Sequence, residues 1–313
     1  MICINDELQI PSLGLWLDAR RPRSVSFISH AHSDHIGNHG RAIVTNATAE
    51  LCRPRLPRSS TTAYDVHEYG EKFSIADTSV ELIPAGHILG SSQIVIQSDD
   101  HTLIYTGDFK LRAGRTQARC EVRSCNTLVM ECTYGRPHYR FPDRSAVEAE
   151  IVARCRSALE RKQTPVIYAY ALGKAQEIID VLSRAKLPVM VHAVVARVCT
   201  AYESLGVSLG SWVAFDEATR AEHVLVMPPD ARRSAMIKKI FPRFEIAVTG
   251  WAIDAGTRFR LGVDVALPYS DHADFSELIE YVERAQPDRV YCLHGFPEFA
   301  QHLRRCGVDA RWL

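Results

Sequence analysis

The chain has no long apolar run and no net charge. Its 313 residues carry 37 Lys and Arg against 37 Asp and Glu. The first absence argues against membrane-spanning helices, which need about 20 consecutive apolar residues. The opening MICINDELQI lacks the basic start and apolar core of a signal peptide, so a cytoplasmic chain without membrane attachment is expected. Charge balance advertises no polyanionic partner, although a neutral total can conceal a basic cleft. Close CxxC pairs are also missing. Nine cysteines, an odd number scattered from Cys3 to Cys306, fit reduced thiols better than a disulfide frame. Cys120 and Cys125 are too far apart for a zinc knuckle, so a structural role is expected for both. There is no fixed-period repeat and no low-complexity linker. With 46% of residues apolar, the chain can fill two packed domains or one large one with an insertion.

Short apolar runs fill the first 133 residues: GLWLDA, SVSFIS, VELIPA, SQIVIQ, TLIYTG and TLVMEC, divided by Gly, Asp and Ser turns. They read as strands of a large sheet system. Near residue 145 the pattern changes. SAVEAEIVARCRSALERK has helical spacing and is followed by the strand-like TPVIYAYAL. The alternation then continues through AQEIIDVLSRAK, LPVMVHA, HAVVARVCTAYESLG, EHVLVMPP, ARRSAMIKKIF and FEIAVTGW. Alternating α and β segments predict a mainly parallel sheet covered by helices. The loop GRPHYRFPDR, with two prolines, is the expected domain crossing. The division that follows is 1–140, 141–265 and 266–313, with the first and last segments forming one domain.

The chemistry begins where SVSFIS ends in HAHSDH. Side chains alternate along an extended strand, so His30 and His32 point to one side while Asp34 and His35 follow as the chain turns. Four metal-ligand side chains within six residues need a cation to offset their crowding. His39 lies outside the pattern and is read as a solvated loop residue. Partners recur at later strand ends: His87 after VELIPAG, Asp108 after TLIYTG, and His294 after RVYCL. Taken singly, each has an ordinary structural explanation. Together they complete two ligand sets. His30, His32 and His87 would hold one divalent ion and Asp34, His35 and His294 a second, with Asp108 bridging ions about 3.5–4 Å apart. A water between two such ions has its pKa lowered toward neutrality and becomes a nucleophile. Imidazole-rich donors suit zinc, and manganese is accepted by the same set.

These motifs resemble the metallo-β-lactamase fold, a four-layer αββα sandwich with metals at one edge of its paired sheets. The resemblance gives Asp18, in LWLDARRP, the place of a carboxylate that orients the histidine loop; a turn aspartate is the alternative. Farther along, ECTYG with Glu131 and Tyr134, YALGKAQEI, and SDHADF with His272 resemble the signatures of the β-CASP nucleases. In that group an α/β domain is inserted into the metallo-β-lactamase fold, and the resemblance covers nearly the whole chain. RSCNTLVMECTYGRPHYRFPD, TGW, SDHADF and LHGF look most like bacterial DNA exonucleases encoded beside ATP-dependent DNA ligases, which implies DNA as partner and a functional link to such a ligase. Histidine at 294 is shared with RNA-processing members, whereas eukaryotic cross-link repair members carry valine there, so RNA stays open as the alternative. Digestion from 5′ ends is implied by the DNA-processing relatives alone.

Hydrolysis of a phosphodiester needs charge neutralisation at phosphorus and a proton for the departing sugar oxygen. His272 is the expected donor, with Glu131 orienting it; a helix cap and a salt bridge are their structural alternatives. For substrate contact, Arg53, Arg55, Arg58, Lys110, Arg112, Arg115, Arg136, Arg140 and Arg144, the last three around Tyr139 and Phe141, have the composition of a strand-tracking groove. Tyr134 belongs with these contacts. Lys174 and Gln176 follow Gly173, which lets the backbone approach a phosphate where a strand yields to a helix. A small-molecule hydrolase has no use for a domain of this size bearing Glu131 and His272.

Overall fold

The computed structural model describes Cys3–Ile4 and residues 7–313. Two compact units divide the chain, Met1–Pro137 with His272–Leu313, and His138–Asp271. The chain therefore leaves the first unit after Pro137 and returns at His272, instead of after 140 and 265. The later return has a structural reason. Val265–Leu267 is an edge strand of the inserted unit, paired in parallel with Arg243–Val248.

The first unit is a sandwich of two sheets. One runs Cys3–Ile4, Leu8–Ile10, Leu15–Leu17, Val25–Phe27, Arg41–Val44, Ala63–Val66. The other has the order Asp309–Trp312, Arg289–Gly295, Thr127–Cys132, His101–Tyr105, Ser92–Ser98, Thr78–Pro84, Lys72–Ile75. Alternation along the strands decides the layers. Val80, Leu82, Ile94, Ile96 and Val129 share a core with Leu15, Leu17, Phe27 and Ile43 of the first sheet. Their neighbours Ile83, Val95, Leu128 and Met130 turn the other way. That outer face is covered by helix Phe275–Ala285, through Phe275, Leu278 and Tyr281, and by helix Glu298–Arg305, through Phe299 and Leu303. Burying such side chains contributes about 1.5–3 kcal/mol each.

The inserted unit carries a six-stranded sheet in the order Val213–Ala214, Val189–Val191, Val224–Met227, Thr164–Tyr168, Arg243–Val248, Val265–Leu267. Every pairing in it is parallel. Helix Arg144–Glu160 leads into its first strand, and helices Lys174–Arg184 and Ala193–Ser204 connect the strands that follow. The expected helix over ARRSAMIKKIF is mostly absent. A 3₁₀ turn at Pro229–Arg233 precedes a single α turn at Ala235–Lys238, because Ser234 takes an extended backbone (φ −67°, ψ 159°) between them. Among the described residues no helix is long and apolar enough to cross a membrane.

Candidate metal centre

Strand ends of the first unit bring the nominated ligands together. HAHSDH follows strand Val25–Phe27, His87 follows Thr78–Pro84, and Asp108 follows His101–Tyr105. His32 Nδ1 lies 3.0 Å from His30 Nε2 and 3.1 Å from His87 Nε2. Asp108 Oδ2 lies 3.6 Å from His30 Nε2 and 3.8 Å from His87 Nε2. A tetrahedral ion with donors about 2.0–2.1 Å away spaces those donors about 3.3 Å apart, a value the four separations straddle. Three imidazole nitrogens meeting at one point cannot satisfy one another with protons, so the donor set fits a cation.

Hydrogen bonds behind the imidazoles aim them. Asp18 receives Ser29 N–H on Oδ1 at 2.6 Å. Its Oδ2 accepts from Ser29 Oγ at 2.6 Å, His35 Nδ1 at 2.8 Å and Tyr105 Oη at 2.7 Å. Because its proton is committed to Asp18, Ser29 Oγ accepts from His30 Nδ1 at 3.0 Å, which leaves the His30 Nε2 lone pair facing the centre. The same logic turns His35 Nε2 inward, 3.4 Å from Asp108 Oδ2 and 3.8 Å from Asp34 Oδ2. Outer partners of this kind fix tautomer and ring orientation in metal sites. Burial, and next the adjoining Asp18, raise the Tyr105 hydroxyl well above the ordinary phenol range, keeping it a donor.

The electrostatics set the imidazoles against one another and pair them with Asp108 and Asp18. Burial first, and then His35 and His87, lower His30 well below the usual imidazole value. Burial opposes a proton on His35, but Asp108 and Asp18 raise it well above that value. Burial would likewise raise Asp108, yet His35 and His272 hold it well below the carboxylate range.

The second nominated set is more open. His35 and His294 rings stand 5.9 Å apart between centroids, and the Asp34 side chain is 72% exposed. Both line a cleft of about 620 Å³ together with Asp18, Arg20, Arg21 and Tyr105. His294 reaches this position through a bulge. Glu131 pairs with Leu293 and Cys132 with Gly295, so His294 is the unpaired residue between them, at φ 46°. Asp18 also sits in the left-handed region, at φ 47°. Strained backbone of this kind gathers at functional sites.

A third grouping adjoins the first. His272 Nδ1 lies 3.0 and 3.1 Å from the two oxygens of Glu131 and 3.9 Å from Asp108 Oδ2, and its ring centroid is 4.7 Å from that of His87. Glu131, 1% exposed, is fixed by Phe109 N–H at 2.9 Å and Thr133 Oγ at 2.5 Å. The helix that follows is capped by Asp274, not by His272.

Other nominated residues have different surroundings. Tyr134 is buried, with its ring 6.2 Å from that of His272. Lys110 is fully buried and its N–H donates to Ala85. Lys174 Nζ pairs with Asp271 at 3.0 Å. Gln176, also fully buried, accepts from Gly173 N–H and donates to Ala171, so its side chain closes the helix start. Of the expected groove arginines, Arg112 is bound to Asp274 and Glu277, Arg136 to Glu298, and Arg144 to Glu148 and Glu177. His39 is a correction. It is 2% exposed and its Nδ1 accepts from Arg23 N–H at 3.2 Å, because the loop folds back over it. Cys120 and Cys125 are buried free thiols, pushed up to about 12 by burial. Ser29 and Tyr105 escaped the sequence reading. A signal for Ser29 exists, as it directly precedes HAHSDH.

A two-sheet sandwich with helices packed outside it and His and Asp side chains gathered at the ends of its strands is the metallo-β-lactamase fold. Residues 259–312 match the family described as "Zn-dependent metallo-hydrolase RNA specificity domain". A "Probable DNA ligase" of Opitutus terrae is 42% identical over 306 residues, 97% of this chain and 30% of that protein. "DNA cross-link repair protein SNM1" of Arabidopsis thaliana is 25% identical, across 85% of this chain and 60% of its own length. "RNase J-like protein" of Methanocaldococcus jannaschii is 23% identical, across 86% and 80%. The chain thus spans less than a third of the Opitutus protein. Residues 259–312 thus carry a zinc-dependent metallo-hydrolase domain, and the chain is similar along most of its length to proteins named for DNA joining, DNA repair and RNA cleavage.

Proposed function

We propose that this protein is a metal-dependent DNA exonuclease that digests from 5′ ends in DNA repair, in functional association with an ATP-dependent DNA ligase. The observation that carries the nuclease reading is the position of Asp108 Oδ2, within 3.9 Å of nitrogens of His30, His35, His87 and His272. One carboxylate oxygen facing both imidazole sets is the arrangement a shared, bridging ligand requires. His30, His32 and His87 would hold one ion, Asp34, His35 and His294 another, with Asp108 common to both. Two such ions, zinc or manganese, supply Lewis-acid neutralisation of the phosphodiester and a water acidic enough to attack it.

The chain's own residues supply orientation and proton handling. Asp18 orients the His35 ring directly and the His30 ring through Ser29 Oγ, with both Nε2 atoms facing the centre for ligation. Glu131 accepts from His272 Nδ1, so that an imidazolium at His272, its second proton on Nε2, would deliver that proton to the departing sugar oxygen and be left neutral with Nδ1–H still on Glu131. Asp34, exposed at the cleft, joins the ligands and orients the attacking water. Tyr134, beside His272, positions the reacting end. Lys110 and Gln176 are committed within the fold, so any effect they have on substrate passes through the backbone they support. Lys174 acts through Asp271.

DNA is favoured by the extent of the similarity to the ligase-named protein, 97% of this chain. An RNA-processing reading has its own support in the description of the family matched at residues 259–312 and in the RNase-named relative. End-labelled single-stranded DNA and RNA, with 5′ phosphate or 5′ hydroxyl, separate the readings when incubated with the protein and zinc or manganese. The expected result is a metal-dependent ladder from the 5′ end of DNA. Selective digestion of RNA would replace the first reading with the second, and no cleavage of either polymer would overturn both.

A further inference from the structure

The inserted unit has a pocket of its own. In its sheet, strand Thr164–Tyr168 lies between Val224–Met227 and Arg243–Val248. The chain leaves Thr164–Tyr168 toward Val189–Val191 on one side, and later passes from Val224–Met227 to Arg243–Val248 on the other. In open parallel sheets such a switch of direction leaves a crevice at the carboxyl ends of the strands, the usual place for a ligand. Here that crevice is a cavity of about 210 Å³. Tyr168 and Val248 are the last residues of their strands, and Pro229 follows Met227 closely.

Its lining joins aromatic faces to cations. Tyr168, Tyr170 and Trp251 supply rings, while Arg232 and Arg260 supply guanidinium groups. Tyr170 is 55% exposed, so its ring stays open to a ligand. Lys174 Nζ stands 4.7 Å from the centre of that ring, which fixes its orientation from one side. Tyr168 Oη donates to Glu245 at 2.5 Å, so its ring is fixed as well. Arg260 is exposed, and its guanidinium donates to Thr257 Oγ at 2.8 Å. Arg232 donates to the Gly262 carbonyl and lies 3.9 Å from Glu245.

The volume decides the class of ligand. Whole small-molecule sites measure about 300–1,000 Å³, so this cavity takes one ring system of a larger molecule. Aromatic faces beside arginines are the combination that holds unpaired nucleotides, by base stacking and by phosphate contact. We propose that this pocket binds one unpaired nucleotide, its base stacked against Tyr170 and Trp251 and its phosphate held by Arg260 and Arg232. Where that nucleotide belongs to a substrate strand, the inference rests on the nuclease reading above. A free nucleotide offers the same chemistry.

The test uses the full chain. Binding of labelled oligothymidylate is followed by anisotropy, and binding of thymidine 5′-monophosphate and inorganic phosphate by calorimetry, with metal-dependent cleavage measured on the same samples. Tyr170→Ala is expected to weaken oligothymidylate roughly fivefold to a hundredfold, while Tyr170→Phe keeps wild-type affinity. Arg260→Ala should flatten the dependence of log affinity on log salt by about one. Loss of mononucleotide binding with oligothymidylate unchanged assigns the pocket to a free nucleotide. Unchanged affinity for both ligands in Tyr170→Ala and Arg260→Ala overturns the proposal, as does phosphate binding that is indifferent to Tyr170. Cleavage by wild type alongside unchanged variants leaves the nuclease reading standing without the pocket. Pocket-dependent binding without cleavage of either polymer leaves the pocket standing without the nuclease.

Discussion

Among individual residues, Asp108, His294 and His272 make separable predictions because their neighbours differ. Asp108 Oδ2 faces both imidazole sets, so Asp108→Ala should abolish cleavage and lower metal content by more than any single histidine change. Retention of two metals per chain with activity intact would contradict the shared-ligand arrangement. His294 stands on the open side of the centre, so His294→Ala should remove one ion and leave the other, read as metal per chain. His272 hydrogen-bonds Glu131, and its ring only packs beside that of His87. Its replacement by Ala should lower turnover by about 10²–10⁴, the usual contribution of a positioned acid, with metal content unchanged. Parallel loss of metal would make it a ligand together with Asp108 and Glu131, whose ligand atoms all lie within 4.8 Å of one another. Gly295 gives a prediction about backbone. A Cβ built there would lie 1.9 Å from the Cys132 carbonyl oxygen, at φ 121°. Gly295→Ala should therefore destabilise the first unit by more than about 1 kcal/mol, measurable by urea denaturation, and should displace His294 with it.

Among the elements, helix Phe275–Ala285 shows how local chemistry and the site are joined. Asp274 caps it, accepting from Glu277 N–H at 2.9 Å, while Glu277 reaches back to Asp274 N–H at 3.1 Å. Arg112, on the loop that follows Asp108, pairs with both carboxylates. Asp274→Ala should cost about 0.5–2 kcal/mol from the cap alone, and more because Arg112 loses a partner. Asp274→Asn keeps the cap and loses the ion pair, so its smaller cost in a denaturant titration isolates the pair; equal costs would mean the cap contributes nothing. This helix also shows what sequence makes legible. FSELIEYVERA has a capping residue, a reciprocal acid three positions on and a single apolar face, all local signals. The strand-end ligands were equally local, each following a short apolar run. The burial of His39, the ion pairs of Arg112 and Arg144, and the capping role of Gln176 were not legible. His39, Arg112 and the Arg144–Glu177 pair depend on which distant segment folds against the residue, which charge patterning does not show, whereas the Gln176 contacts are local and its place after Gly173 reads equally as a phosphate approach.

For the whole molecule, the division into two units makes metal a probe of one of them. Every nominated ligand belongs to Met1–Pro137 with His272–Leu313, and none to His138–Asp271. A ligand that binds only the folded state stabilises it by RT ln(1 + [L]/Kd), about 2.7 kcal/mol at a hundredfold excess over Kd. The relief that the ion gives the crowded imidazoles is contained in Kd, so tighter binding means a larger shift of the first unit. Chelation should therefore lower the calorimetric transition of the first unit by several degrees. The transition of the inserted unit, whose parallel sheet and core of Val166, Met190, Leu225 and Ala247 contain no ligand, should move little. Asp108→Ala should reproduce the chelated profile and respond no further to chelator. If both transitions fall together in wild type, the units unfold cooperatively and the metal stabilises the whole chain. If neither falls, the gathered histidines do not depend on a cation, and the metal reading of the centre fails with them.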